Sequence, residues 1–330
     1  MHEETFQVTV SPPRDTLPRP RVTQRENSRR GKGGETNHST QATRRLIADE
    51  TLAAIERGEI QLQDSTYRFQ DVVLHSIDHT IFFPPESILA TWPTSTPASR
   101  STFSAQLELC EGSTLERARA LLHELNTSSA SKAGVPARIG VLSFASATKP
   151  GGGFLSGAQA QEESLARAST LYPSLVSSKS AQFHELHKRD RRGGFYTHAM
   201  IFSPAVLVLR DDAGAWVPPY QIEVVTSAAV NAGVVRERAG DAPGQDTAAR
   251  IEGTMRERMA RILFLFEKQG LRNIVLGSFG TGVFRNDVSM VADIWFDLLA
   301  EEGARFMHSF DRVVFGIIDK QTVERFKCGV

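Results

Sequence analysis

Lys149-Pro150-Gly151-Gly152-Gly153-Phe154-Leu155-Ser156-Gly157-Ala158-Gln159-Ala160-Gln161-Glu162-Glu163 follows closely on an apolar run, Ile139-Gly140-Val141-Leu142-Ser143-Phe144-Ala145. The run has the length and composition of a buried strand. A helical pattern opens at Gln161. Glycines at a strand end admit positive φ and let backbone N–H groups approach a ligand with no Cβ in the way. Successive bare N–H groups form an anion-binding nest. Taken alone, the glycines read as a flexible turn, and Glu162 and Glu163 as the acidic residues common in a first helical turn. Together they predict a phosphate cradle beside a carboxylate pair, placed for chemistry on a bond next to a phosphate.

The spacing adds to this. Gly-Gly-Gly, seven residues, then Gln-Glu-Glu resembles the signature of the poly(ADP-ribose) glycohydrolases. The longer string PGGGFLSGAQAQEESLARASTLYPSL, and RRLIADETLAAIERGEI nearer the start, are similar to the microbial type of that family. The resemblance runs from about residue 43 to the end. It implies a macrodomain-like three-layer α/β/α sandwich with a mixed central sheet and an N-terminal, mainly helical extension. It implies that Glu163 is the catalytic acid and that Glu162 binds a ribose hydroxyl. A ribose–ribose O-glycosidic bond breaks through an oxocarbenium-like transition state, and its leaving oxygen needs a proton. A carboxylic acid supplies one if its pKa is raised. A helix N-terminus opposes that shift, so desolvation and repulsion between the neighbouring carboxylates have to win.

The rest of the chain fits an α/β protein. With 330 residues it has room for one large domain or two ordinary ones. Formal net charge is zero, which gives no argument for or against a polyanion partner. No run of about 18 apolar residues predicts a membrane span. The only cysteines, Cys110 and Cys328, lie far apart and form no metal-ligand pattern, which suits a reducing compartment inside a cell. Residues 1–41 are rich in proline, basic residues and glycine and are expected to form a disordered tail. Residues 42–130 are expected to form an extension packed on a catalytic domain of residues 131–330.

Within the extension, Thr43–Arg57 reads as an amphipathic helix stopping before Gly58. Alternating stretches follow at Tyr67–Phe69, Val72–Leu74 and Thr80–Phe83. Phe103–Leu109 is a predicted strand, and Thr114–Leu125 a helix capped by Ser113. In the catalytic domain, strands are expected at Ile139–Ala145, Ala199–Phe202, Val206–Arg210, Ile222–Ser227, Asn273–Phe279 and Arg312–Ile318. Helices are expected at Gln161–Leu171, ending before Pro173, at Thr247–Gln269, and from Asp287 onward. Such alternation argues for a layered α/β fold.

A second glycine-rich stretch, Gly277-Ser278-Phe279-Gly280-Thr281-Gly282-Val283-Phe284-Arg285-Asn286-Asp287, lies between a predicted strand and helix. No Gly-Lys-Ser/Thr follows, which argues against a nucleoside-triphosphatase loop. By resemblance, Gly280, Thr281, Gly282 and Val283 close over a diphosphate and Phe284 packs on a ribose; otherwise Phe284 is an ordinary core aromatic. Asn231, at another strand end, either lines the site or satisfies a turn. Gly151, Gly152, Gly153 and Gln161 complete the expected substrate-binding set. His184-Glu185-Leu186-His187 has its histidines three apart, so no zinc site is expected. Lys188–Gly194 is a basic loop, read as solvated.

Two positions depart from the family pattern. Microbial relatives commonly carry Asn where this chain has Ser143 and Lys149. Lys149 either adds a phosphate contact or crowds the ribose site. The expected activity is therefore a poly(ADP-ribose) glycohydrolase releasing ADP-ribose from chain ends. Its alternatives are a non-catalytic ADP-ribose-binding macrodomain and a hydrolase of mono-ADP-ribosylated protein. Poly(ADP-ribose), ADP-ribose and ADP-ribosylated proteins are the expected partners. No cofactor, metal, membrane or sequence-specific nucleic acid is expected, and the cytoplasm, or a nucleus, is the expected location.

Overall fold

The computed structural model describes residues 9–11, 35–97, 104–127, 137–189, 193–240 and 245–327. The N-terminal part runs β1 (Thr9–Ser11), α1 (Glu35–Arg57), β2 (Glu59–Leu62), β3 (Ser65–Arg68), α2 (Gln70–Asp78) and β4 (Ile81–Phe83). Then come β5 (Gln106–Glu111), α3 (Thr114–Thr127), β6 (Ile139–Phe144), α4 (Gln161–Ala168), α5 (Leu171–Val176) and α6 (Ala181–Arg189). The long strands β7 (Met200–Arg210) and β8 (Trp216–Ser227) lead to α7 (Ala232–Ala239) and α8 (Gln245–Lys268). The chain closes with β9 (Asn273–Leu276), α9 (Val288–Leu299), β10 (Arg312–Ile317) and α10 (Lys320–Lys327).

Seven strands form one sheet in the order β4-β7-β8-β6-β9-β10-β5. From β8 to β5 the pairings are parallel, while β7 is antiparallel to both its neighbours. Both faces are covered, so the strands read as nearly continuous apolar runs. Alternate residues still choose sides. Leu142, Val225, Ile274, Leu276, Val313 and Phe315 share one core with buried residues of α8 and α9. Val141, Val224, Val275 and Val314 share the other with buried residues of α3, α4, α5 and α6. On α8, Ile251, Met255, Met259, Ile262 and Phe266 are at most 1% exposed, the stripe that helical periodicity predicts. Burying each side chain of that size contributes about 1.5–3 kcal/mol. These layers make the expected macrodomain-like sandwich.

Several expectations need correction. β4 and β5 are the two edge strands of the main sheet, so a boundary near residue 130 cuts through it rather than beside it. Strand β5 pairs with β10, some two hundred residues later, through main-chain bonds that local pattern does not reveal. Within residues 1–41, β1 pairs with β3 and α1 already begins at Glu35, so these stretches are regular elements and not a tail. An edge strand accepts a partner through its backbone, with no side-chain pattern required.

Val72–Leu74 lie on the helix α2. Instead of two strands broken at Pro204, β7 is one strand with a register shift between Ser203 and Val206, where Ala205 has φ +52°. Beyond that bulge, Ala205, Leu207 and Leu209 turn toward a third core shared with α1 and α2. The helix expected to reach Leu171 ends at Ala168, and Pro173 sits in the first turn of α5, where proline costs no hydrogen bond. Phe103, residues 190–192 of the basic loop and Cys328 lie outside the described residues; Cys110 is a free, half-buried thiol.

Candidate active site

The parallel strands bring the loops that follow β5, β6, β8, β9 and β10 to one end of the sheet. Open α/β sheets bind ligands there. After β6 the chain turns through Lys149 to Gly153 and enters α4. Gly152 has φ +61°. A Cβ on it would lie 2.3 Å from Glu163 Oε1 and 3.1 Å from Glu162 Oε2, so both carboxylates meet over this one residue.

The three glycines do not form the bare nest that the sequence predicts. Gly152 N–H donates to the Lys149 carbonyl at 3.0 Å, and Gly153 N–H to Glu163 Oε1 at 3.0 Å. The Gly151 N–H faces the Glu162 carboxyl and acts on it electrostatically. Two of the three N–H groups are thus turned to the protein's own carboxylates and the third to a carbonyl.

Glu162 is 2% exposed. Its Oε2 accepts from Ser146 N–H at 2.6 Å, and its buried Oε1 has no hydrogen-bond partner among the described residues. Burial raises its pKa well above the usual carboxylate value. The Ser146 N–H opposes that rise, the charge on Glu163 adds to it, and the Gly151 N–H opposes it again. Glu163 is half-buried; its Oε2 accepts from Ala160 N–H at 3.0 Å, which caps α4. Desolvation thus wins over the helix terminus at Glu162.

Gln161 lines the cleft, and its side-chain amide is also bonded within the fold. Its Oε1 accepts from Phe144 N–H at 2.8 Å, and its Nε2 donates to Leu142 O at 2.7 Å and Thr114 Oγ1 at 3.1 Å. The side-chain amide extends the β6 edge and pins the start of α4 to it.

The loop after β9 keeps its donors free. The N–H groups of Gly280, Gly282, Val283 and Phe284 have no acceptor among the described residues. Gly280 has φ +75°, and a Cβ there would meet Ala229 Cβ at 2.4 Å. The buried Asn286 staples the loop down, donating from Nδ2 to Val230 O at 2.7 Å and Gly280 O at 2.9 Å. Phe284 is half-buried against the α8–α9 core, 6.0 Å from the Tyr196 ring, and its carbonyl accepts from Gly233 N–H at 3.1 Å. Asn231 takes the turn role: its Oδ1 caps α7 by accepting from Val234 N–H at 3.2 Å, and it does not line the cleft.

These loops bound a cleft of about 1030 Å3. Gly152, Gly153, Glu162 and Glu163 lie on it, as do Gly280, Thr281, Gly282, Val283 and Phe284. Among the described residues no group of three or more His, Cys, Asp or Glu is placed to hold a metal. His184 is buried, with its pKa pushed down to about 4 by desolvation, and His187 Nε2 meets Thr197 Oγ1 at 2.8 Å. Both are core residues of α6. No helix of the described residues is long and apolar enough to cross a membrane.

The geometry can be set beside known proteins. The family model described as microbial-type PARG, catalytic domain, matches residues 48–211. A poly(ADP-ribose) glycohydrolase from Thermomonospora curvata is 36% identical, with a TM-score of 0.76, over 88% of this chain and 100% of that one. The chain belongs to the microbial-type poly(ADP-ribose) glycohydrolases. A structure of the Thermomonospora protein bound to the inhibitor ADP-HPD superposes with a TM-score of 0.74 at 35% identity, over 88% and 100% of the two chains. The glycohydrolase from Deinococcus radiodurans, in complex with ADP-ribose, is 31% identical with a TM-score of 0.67, over 82% and 98%. No curated protein sequence matches.

Sequence reasoning missed two walls of this glycohydrolase's cleft. Thr40, Thr43 and Arg44 of α1 form one, and Asp211–Gly214 at the tip of the β7–β8 hairpin form another. Arg44 Nε donates to Gly157 O at 2.7 Å and its Nη1 to Gln159 Oε1 at 2.9 Å, while Gln41 Nε2 donates to Ser156 O at 2.9 Å. The N-terminal helix therefore holds the segment that joins the glycines to the carboxylates. The sequence signal was the family-like string that opens with Arg44 and Arg45, which marks the helix but not what its arginines grip.

Proposed function

We propose that this glycohydrolase cuts the ribose–ribose O-glycosidic bond at the ends of poly(ADP-ribose) chains, with Glu163 as general acid, and releases ADP-ribose. One observation carries the reading: a carboxylate pair with one member buried shares a cleft with a loop of four N–H groups that have no acceptor among the described residues. The loop suits a diphosphate, since bare N–H groups near a helix start favour anions. The pair suits the adjacent sugar. Glu162, whose proton affinity burial raises, backs the pair, and Glu163, the more accessible of the two, delivers the proton. Substrate settling over the pair excludes water from it. The leaving ribose oxygen takes the proton as the C–O bond breaks. Water then adds to the anomeric carbon, and its proton returns to the pair, so one water is consumed per ADP-ribose released. Phe284 packs on the ribose. The relatives solved with ADP-ribose and with ADP-HPD support the ligand class. ADP-ribosylated proteins bearing such chains are its partners, and its place is inside the cell, in keeping with two cysteines far apart in sequence.

Release of ADP-ribose from purified polymer tests this, with ADP-ribose affinity measured in parallel. Gln at position 163 keeps the shape and the acceptor for Gly153 but carries no acidic proton. Glu163→Gln should keep affinity near wild type and lose about 10²–10⁴-fold in turnover. Glu162→Gln should lower affinity and turnover together, because it holds the sugar in ground and transition states alike. Turnover by Glu163→Gln within a few-fold of wild type would refute the acid assignment.

A further inference from the structure

An ADP-ribose diphosphate brings two negative charges into a cleft that already holds a carboxylate pair. The N–H groups of Gly152 and Gly153 are taken by Lys149 O and Glu163, and that of Gly151 faces the Glu162 carboxyl. The compensating charge must come from elsewhere. Four cationic side chains line the cleft: Arg44, Lys149, Arg167 and Arg210. Arg44 is tied to Gly157 O and Gln159, and Arg167 donates to Ala158 O at 3.0 Å and to Ser164 Oγ. Arg210 pairs with Glu50 at 2.9 Å and stacks on Trp216. Lys149 alone has an ammonium group without a partner among the described residues.

We propose that Lys149 is the cation that binds the substrate's diphosphate and sets the enzyme's affinity for ADP-ribose. Its backbone is fixed: the N–H donates to Ser146 Oγ at 3.3 Å, and the carbonyl accepts from Gly152 N–H. Its loop follows β6, and the loop with free N–H groups follows β9, the neighbouring strand. The two loops touch at their roots, where Phe144 and Phe279 pack edge to face at 5.6 Å. Lys149 is exposed, so its four-carbon stem is free to place the ammonium on a phosphate oxygen. Of the two readings left open for this position, the unpartnered charge selects the phosphate contact. The inference rests on the proposed function, since it needs a diphosphate in this cleft.

Calorimetric titration with ADP-ribose, at low and at high salt, separates the two. Lys149→Met keeps the stem and removes the charge. It should bind ADP-ribose about 10-fold more weakly, as expected for losing one charge-assisted bond. Added salt should weaken wild type more than the variant, because screening acts on the lost charge. With polymer, the loss should fall on KM more than on kcat, and Lys149→Arg should restore most of the affinity. Met-variant affinity within twofold of wild type at both salt concentrations, in a protein of unchanged melting temperature, overturns the assignment. Failure of wild type itself to bind ADP-ribose overturns the proposed function, and this inference falls with it.

Discussion

A carboxyl group whose pKa is raised by burial leaves a mark on stability as well as on chemistry. Glu162 has its pKa raised well above about 4.5, the ordinary glutamate value. The folded state therefore binds more protons than the unfolded state over the range between the two values. Its contribution is fully present below the unfolded value and is lost as pH rises through the folded one. Glu162→Gln removes that titration. The melting temperature of the variant, taken relative to wild type, should rise as pH climbs above about 4.5 and level off once the folded carboxyl has ionised. A difference independent of pH would mean that Glu162 is ionised throughout. At this scale the identity of the carboxylates was legible, because two adjacent acids after three glycines is a specific pattern. The destinations of the glycine N–H groups and of the Gln161 amide were not. Each is decided by an atom brought in through tertiary structure: Glu162 and Glu163 folding back over the glycines, and Phe144 and Leu142 beside Gln161.

Among the elements, α1 has the least obvious task. Its apolar side packs on α2 and β7, while Gln41 and Arg44 grip Ser156, Gly157 and Gln159. Arg44→Ala removes two hydrogen bonds of a half-buried guanidinium, worth about 1–2 kcal/mol after allowing for its exposure. We expect a small fall in melting temperature and a larger fall in kcat, because the segment between glycines and carboxylates loses its outer hold. Equal proportional losses in stability and turnover would reduce α1 to packing alone. The helix itself was legible from periodicity as far back as Thr43. Its grip was not, since an arginine on a polar face looks the same whether it meets water or a carbonyl. The main strand–helix alternation after residue 138 was legible, because β6, β8 and β10 are apolar runs and α8 carries a clear stripe, while the short helices α5, α6, α7 and α10 were not. The β7 bulge and the α4–α5 break were misread because Pro204 and Pro173 were taken as terminators. In both places the fold admits the proline, at a bulge and in a first helical turn.

Across the whole molecule, the cleft depends on an edge strand with one neighbour. Strand β5 pairs only with β10, from Arg312↔Gln106 to Ile317↔Glu111. Cutting the chain after Asp311 removes β10 and leaves the N-terminus of α3, with Ser113 and Thr114, unsupported. The truncated protein should show no cooperative melting transition and no binding of ADP-ribose. A cooperative transition within a few degrees of the full chain would show that β6 and β9 suffice. Local pattern located β5 and β10 separately, but pairing across such a distance carries no short-range signal. That is why the sequence reading placed β5 in an attached extension.

The same strand order has a meaning in time. A ribosome delivers β5 some two hundred residues before β10, so β5 waits unpaired while β6 to β9 are made. Contacts that span so much chain are formed slowly, and a waiting edge strand is open to the wrong partner. The carboxylate pair emerges between them, yet the cleft that gives it a substrate cannot close until β10 is in place. The nascent chain is thus silent toward its polymer until β10 has emerged, and its yield depends on what shields β5 in the interval.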